Sequence, residues 1–265
     1  MSTRYSIGSM LAFIRRPYFP AGKDRMGEPQ LKHLVQLLFF SLALMIIVGG
    51  VVGAIIAAVN GDVPENANET IGQASPAMLL LYGVLLAPII EEVVFRSWLG
   101  GRRACILGLP ILVSLFAIGS AVTADMSPVV SFVIAAGLAI LVVGVARQFA
   151  SLPPSAQKAA RWRLFPVSFY GSALLFAMLH MANYEGGLSS PIMLLAILPQ
   201  FLVALILGYV RMRFGLMQAI VFHALYNLVL IGVFLMSTSL APTVDTAAIL
   251  THPLALTLVV ASVAA

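Results

Sequence analysis

Ala87-Pro88-Ile89-Ile90-Glu91-Glu92-Val93-Val94-Phe95-Arg96 puts two adjacent carboxylates and a guanidinium into a run that otherwise reads as membrane. An ionisable side chain at the bilayer centre costs at least about 2.5–3.5 kcal/mol on insertion scales, so such groups mark a functional site by default. Glu92 and Arg96 stand four apart with the acid first, the favourable order for an ion pair on one helix face, and pairing lowers the cost of burying both. Glu91 then points about 100° away from Glu92. The expectation is that Glu91 faces a cavity while Glu92 and Arg96 brace the helix; the spacing alone also permits the reverse. Pro88, three residues earlier, removes a helical hydrogen bond and favours a kink beside the acids.

The surroundings fix the class. Hydrophobic residues make up 61% of the 265 and charged residues only 9%, and the mean hydropathy is +1.03. Soluble domains are nearer 45–50% apolar and about 25% charged. The chain reads as an all-α, polytopic transmembrane bundle of 7–8 spans. The spans fall at 34–59, 76–99, 104–122, 129–146, 164–183, 191–210 and 214–236, with a short apolar piece at 251–265 as an eighth candidate. Residues 1–33 form a basic N-terminal segment, and 34–265 form one helical domain with an inserted two-helix unit at about 104–146. A longer loop containing Pro153-Pro154 is expected at 147–163, and Trp162 with Arg161 and Arg163 suggests a headgroup-level anchor. With the N-terminus in the cytoplasm and the spans alternating, 14 of the 15 Lys and Arg residues fall in inside segments, Arg96 being the exception. That is the positive-inside bias. The net charge of +5 therefore reports orientation in a cell (inner) membrane rather than nucleic-acid binding. The single cysteine, Cys105, forms no internal disulfide.

Two further polar pairs lie within spans at four-residue spacing, so each shares a helix face: Phe176 with His180, and His223 with Asn227. Counting about 1.5 Å per residue from the arginines that end the spans, Glu91 and His223 come out at about the same depth, and His180 somewhat deeper. His33 and His252 flank spans and read as interfacial, and Phe176 reads as packing. A carboxylate and a neutral imidazole around one water make a general-base pair. A second imidazole and an amide N–H are donors for a developing oxyanion. Together these groups suit hydrolysis of an acyl bond. The competing chemistry is a zinc site in which Glu91, His180 and His223 leave a fourth position for water. The sequence carries no HExxH helix, and Asn227 suits the oxyanion role better than metal ligation. Two non-enzymatic readings use the same cluster: an immunity or scaffold protein, and a transporter.

In this order, Glu91-Glu92-x-x-x-Arg96, Phe176-x-x-x-His180 and His223-x-x-x-Asn227 resemble the three motifs of the CAAX protease and bacteriocin-processing (CPBP) family of intramembrane proteases, to which the CAAX prenyl endoprotease is related. The resemblance runs from about Gly83 to Leu228. It implies a helical membrane fold with a cavity open to the cytoplasm, Glu91 and His180 activating water, and His223 and Asn227 forming the oxyanion hole. The supporting positions are Glu92, Arg96 and Phe176. The family has been described both as metal-dependent and as glutamate-based; the favoured mechanism requires no cofactor, with Zn as the alternative. The implied partners are membrane lipids and a membrane-associated protein or peptide substrate, lipidated or not. One departure stands out: the 79 residues Ser97 to Leu175 separate the first two motifs, where the family has a short connection.

Overall fold

A computed structural model describes residues 5–20, 24–60, 75–100, 108, 110–113, 127–180 and 193–239. Among these residues every regular element is helical, and the protein is an all-α membrane bundle. We number the helices α1 (Ile7–Arg15), α2 (Glu28–Asn60), α3 (Pro76–Gly100), α4 (Pro128–Ser151), α5 (Pro154–Leu179), α6 (Met193–Ala196), α7 (Leu198–Arg213) and α8 (Leu216–Ser239). Five segments are long and apolar enough to cross a bilayer: Glu28–Val59, Pro76–Gly100, Pro154–Leu179, Leu194–Arg213 and Leu216–Met236. The expected fourth span is helical as part of α4. Most of the expected third span at 104–122, and all of the candidate at 251–265 with His252, lie outside the described residues.

α7 is the axis of the bundle. It packs against α5, α8, α2 and α1, and Val203 through Met212 are all buried. Small residues make this possible. Without a hydrophobic drive between helices in lipid, close approach depends on residues with little side chain. Ala204 and Gly208 are the small residues in that run, and a Cβ on Gly208 would lie 2.6 Å from Cε2 of Phe169 on α5. α7 ends at Phe214, and the chain turns through Gly215 at φ 123°, a left-handed conformation that glycine adopts without a Cβ penalty. The amides of Phe214 and Gly215 both donate to the Val210 carbonyl there.

The structure corrects the loop expectation. The loop placed at 147–163 is helical apart from Leu152 and Pro153, because Pro154 sits at the first turn of α5, where its missing N–H and fixed φ cost nothing. α5 then runs through Pro166 without ending. The basic segment at 1–33 also contains a packed element. α1 begins with a Ser6/Ser9 capping box and buries Met10 and Phe13, whose ring meets Phe169 and Tyr209 edge-on. The Tyr170 hydroxyl on α5 donates to the Ile14 carbonyl, and α2 starts at Glu28.

Candidate active site

α3 carries the two acids on a rod with three different windings. Pro76–Leu79 is α-helical, Leu80–Leu86 is a π-helix, Ala87–Arg96 returns to α-helix, and Ser97–Gly100 tightens to 3₁₀. In π register each carbonyl accepts from the amide five residues on. The Ala87 amide donates to Tyr82 in this way. The next carbonyl, that of Gly83, would need the amide hydrogen of residue 88, and residue 88 is proline. Its partner comes instead from α8: Asn227 Nδ2 donates to the Gly83 carbonyl at 2.8 Å. Gly83 also admits the close packing of α8, since a Cβ there would lie 2.5 Å from Ile231 Cδ1. The second N–H of the Asn227 amide remains for other use, and Asn227 Oδ1 and the Tyr226 hydroxyl are buried with no hydrogen-bond partner among the described residues.

One face of α3 turns inward with Pro88, Glu92, Phe95, Arg96 and Leu99, while Ile89, Ile90, Val93 and Val94 face outward. Arg96 Nη1 donates to Glu92 Oε1 at 2.8 Å, with both side chains at 1% exposure or less. The same oxygen meets His223 Nδ1 at 3.0 Å. A carboxylate accepts, so Nδ1–H is the donor, and the bond fixes the ring with Nε2 turned away from Glu92. Nε2 lies 3.7 Å from Oε2 of Glu91. The Glu91 side chain is 16% exposed, whereas Glu92 is fully enclosed. The two acids thus differ: Glu92 belongs to the brace, and Glu91 is the less enclosed, although its Oε2 is buried without a hydrogen-bond partner among the described residues.

Phe176 joins the third motif to this network. Its ring lies 4.1 Å from the Arg96 guanidinium, a cation–π distance. The same ring lies 4.7 Å from the His180 ring and 6.0 Å from the His223 ring. His180 Nδ1 donates to the Phe176 carbonyl at 2.7 Å. That bond leaves Nε2 of a neutral His180 as an acceptor. α3, α5 and α8 therefore bring Glu91, Glu92, Arg96, Phe176, His180 and His223 into one connected cluster, with Asn227 one turn further along α8 at the Gly83 carbonyl. Among the described residues, the imidazole paired with Glu91 is that of His223.

Sequence reasoning missed the groups that hold the end of α3. Its last carbonyls lack helical donors. Ser172 Oγ donates to the Phe95 carbonyl at 2.6 Å. Arg211 Nε and Nη2 donate to the carbonyls of Arg96 and Ser97, each at 2.9 Å. A Cβ on Gly100 would lie 2.7 Å from Arg211 Nη2, so the glycine leaves room for the guanidinium. Arg211 is 6% exposed. It reads in the sequence as a marker of the membrane edge; its helical phase, two residues before Arg213, is the only signal that the two arginines face different ways. His33, expected at the interface, is likewise buried and bonds Tyr209 Oη at 3.1 Å.

The zinc alternative needs Glu91, His180 and His223 to converge on one point. No group of three or more His, Cys, Asp or Glu side chains among the described residues is arranged to hold a metal ion.

A family model described as Rce1-like, type II CAAX prenyl endopeptidase, matches residues 73–229, well over half of the chain. The match spans α3 to most of α8 and so contains every member of the cluster. Comparison with curated proteins and with solved structures gives no match.

Proposed function

Because this chain belongs to the Rce1-like family of type II CAAX prenyl endopeptidases and is an integral membrane protease of the CAAX type, we propose that it cleaves a peptide bond of a membrane-associated protein with water activated by Glu91 and His180. The proposed order of events balances as follows. Glu91 accepts a proton from water while the water oxygen attacks the scissile carbonyl carbon. His180 Nε2, left as an acceptor by the Nδ1–H bond to Phe176, orients that water. Charge develops on the carbonyl oxygen, which receives hydrogen bonds from His223 and from the second Asn227 amide hydrogen. Donation from His223 Nε2 while Nδ1–H is held by Glu92 requires a ring carrying both protons, and the carboxylates at 3.0 and 3.7 Å are its counter-charges. Collapse of the tetrahedral intermediate breaks the C–N bond, and the proton on Glu91 passes to the leaving amine.

The observation that carries this reading is the Arg96–Glu92–His223 chain, which holds an imidazole beside a second, less enclosed carboxylate. Breaking any member of a buried charged network leaves an uncompensated charge, so such a chain fixes geometry. The substrate in this reading is a protein or peptide, lipidated or not, that enters from the cytoplasmic side, to which the arginine-rich ends of the spans are assigned.

The test compares protein termini by mass spectrometry in membranes carrying equal amounts of wild type or Glu91→Gln. Loss of a general base predicts a fall of about 10²–10⁴-fold in the rate at which new termini appear. Equal termini from both proteins, in a host where wild type produces them, would sink the role of Glu91.

A further inference from the structure

At the foot of the bundle, away from the acids, a cavity of about 460 Å³ opens between α1 and the end of α7. Ser9, Phe13, Arg16 and Tyr18 line it from the N-terminal segment, and Tyr209 and Arg213 line it from α7. Its wall is rich in hydrogen-bond donors: two guanidinium groups, two phenols and a hydroxyl.

The floor of this cavity is built. Tyr209 is 1% exposed, and its hydroxyl is placed by His33 Nε2 at 3.1 Å and Ser9 Oγ at 3.5 Å. Arg213 is fixed at 12% side-chain exposure by Asp24 Oδ2 at 2.8 Å, while its own carbonyl accepts from the Asp24 amide at 2.8 Å. Asp24 offsets one positive charge. Arg16 is exposed, with no ion-pair partner among the described residues, so the rim keeps a net positive charge. The apolar side is supplied by Phe13 and by Ala12, and Leu11 beside them is also exposed on α1. A short helix with buried Met10 and Phe13, exposed Leu11 and terminal arginines has the character of an interfacial helix at headgroup level. Planar guanidinium groups match phosphate oxygens in pairs of hydrogen bonds.

We propose that the cavity between α1 and α7 binds a phosphate-bearing anion, with Arg16 as the residue that captures it and Arg213 and Tyr209 as the fixed wall. The chemistry admits two sources, the headgroup of an anionic phospholipid and free phosphate. Met10, Phe13, the Ser9–Tyr209 contact and the Tyr170 contact hold α1 to the bundle, and an anion bridging Arg16 and Arg213 adds a tie at its exposed end.

The experiment uses the full-length protein, purified in a neutral detergent. Thermal unfolding is followed while phosphatidylglycerol, phosphatidylcholine or inorganic phosphate is added, for wild type and for Arg16→Glu. Arg16 is exposed and unpaired among the described residues, so the substitution leaves folding intact; the unliganded midpoint checks this, and Arg16→Gln serves if it moves. A rise in midpoint with phosphatidylglycerol, absent with phosphatidylcholine and needing about tenfold more lipid in the variant, establishes a lipid-headgroup site. The same pattern with inorganic phosphate assigns the site to the soluble anion. Equal responses of wild type and variant, or no response to either anion, would overturn the proposal.

Discussion

α2 and α7 are both apolar membrane helices, and they are used in opposite ways. The α2 segment has the higher mean hydropathy, 2.8 against 2.0 for Leu194–Arg213, yet 28% of its most apolar stretch is buried inside the protein against 72% for the segment that contains α7. In water the more hydrophobic helix would go to the core. In lipid the tails are as apolar as leucine, so hydrophobicity selects nothing between protein and bilayer. Position is decided by groups lipid cannot satisfy and by shapes that permit contact. α7 carries Gln200, Tyr209 and Arg211 on buried faces and Gly208 against Phe169. α2 turns Phe39, Ile47, Val51 and Val59 outward. The ordering principle of this fold is polarity and smallness, with hydropathy marking only which segments lie in the membrane.

Substitutions can break or sharpen that contrast. The largest effect on stability is expected where buried polarity is densest. Arg96→Met leaves Glu92 without its charged partner and should cost about 3–5 kcal/mol, read as a lowered unfolding midpoint in detergent. Adding Glu92→Gln should restore much of that loss, yet activity should stay low because His223 loses the carboxylate that orients it. If the double variant were both stable and fully active, the brace would have no part in catalysis. A smaller loss, about 1–3 kcal/mol, is expected for Gly208→Ala, whose new methyl group must displace the enclosed Phe169 ring. The smallest effect has the opposite sign. Gly144 on α4 has nothing within 4 Å of where a Cβ would stand, so Gly144→Ala should leave stability unchanged or raise it by up to about 1 kcal/mol through helix propensity. Equal costs at Gly208 and Gly144 would mean that α7 is no more central than α4.

This asymmetry also explains what could be read from the sequence. Spans were legible because they depend on hydropathy and length, and the expected span at 76–99 differs from α3 by one residue. The Glu92–Arg96 pair was legible because a four-residue spacing is a local property of one helix, and it forms with both partners enclosed. Tertiary choices were not legible. Nothing local distinguishes Arg211, bonded to the end of α3, from Arg213, bonded to Asp24. The second winding of α3 was hidden as well: Pro88 announces a perturbed helix without saying that the perturbation lies upstream as a π-turn. At 147–163, Trp and Arg side chains at a membrane edge are compatible with either loop or helix, and only the structure shows Pro154 as a first-turn residue.

The Gly83 carbonyl couples two distant positions. Pro88 withholds one hydrogen atom, and the atom that replaces it is supplied by a side chain 139 residues further along the chain. A change at position 88 that restored the backbone hydrogen would not damage α3; it would release Asn227 from its post and blur the aim of an amide on another helix. The two positions therefore meet at one carbonyl. An ordinary helix-forming residue at 88 would be silent in the fold and audible only in the chemistry.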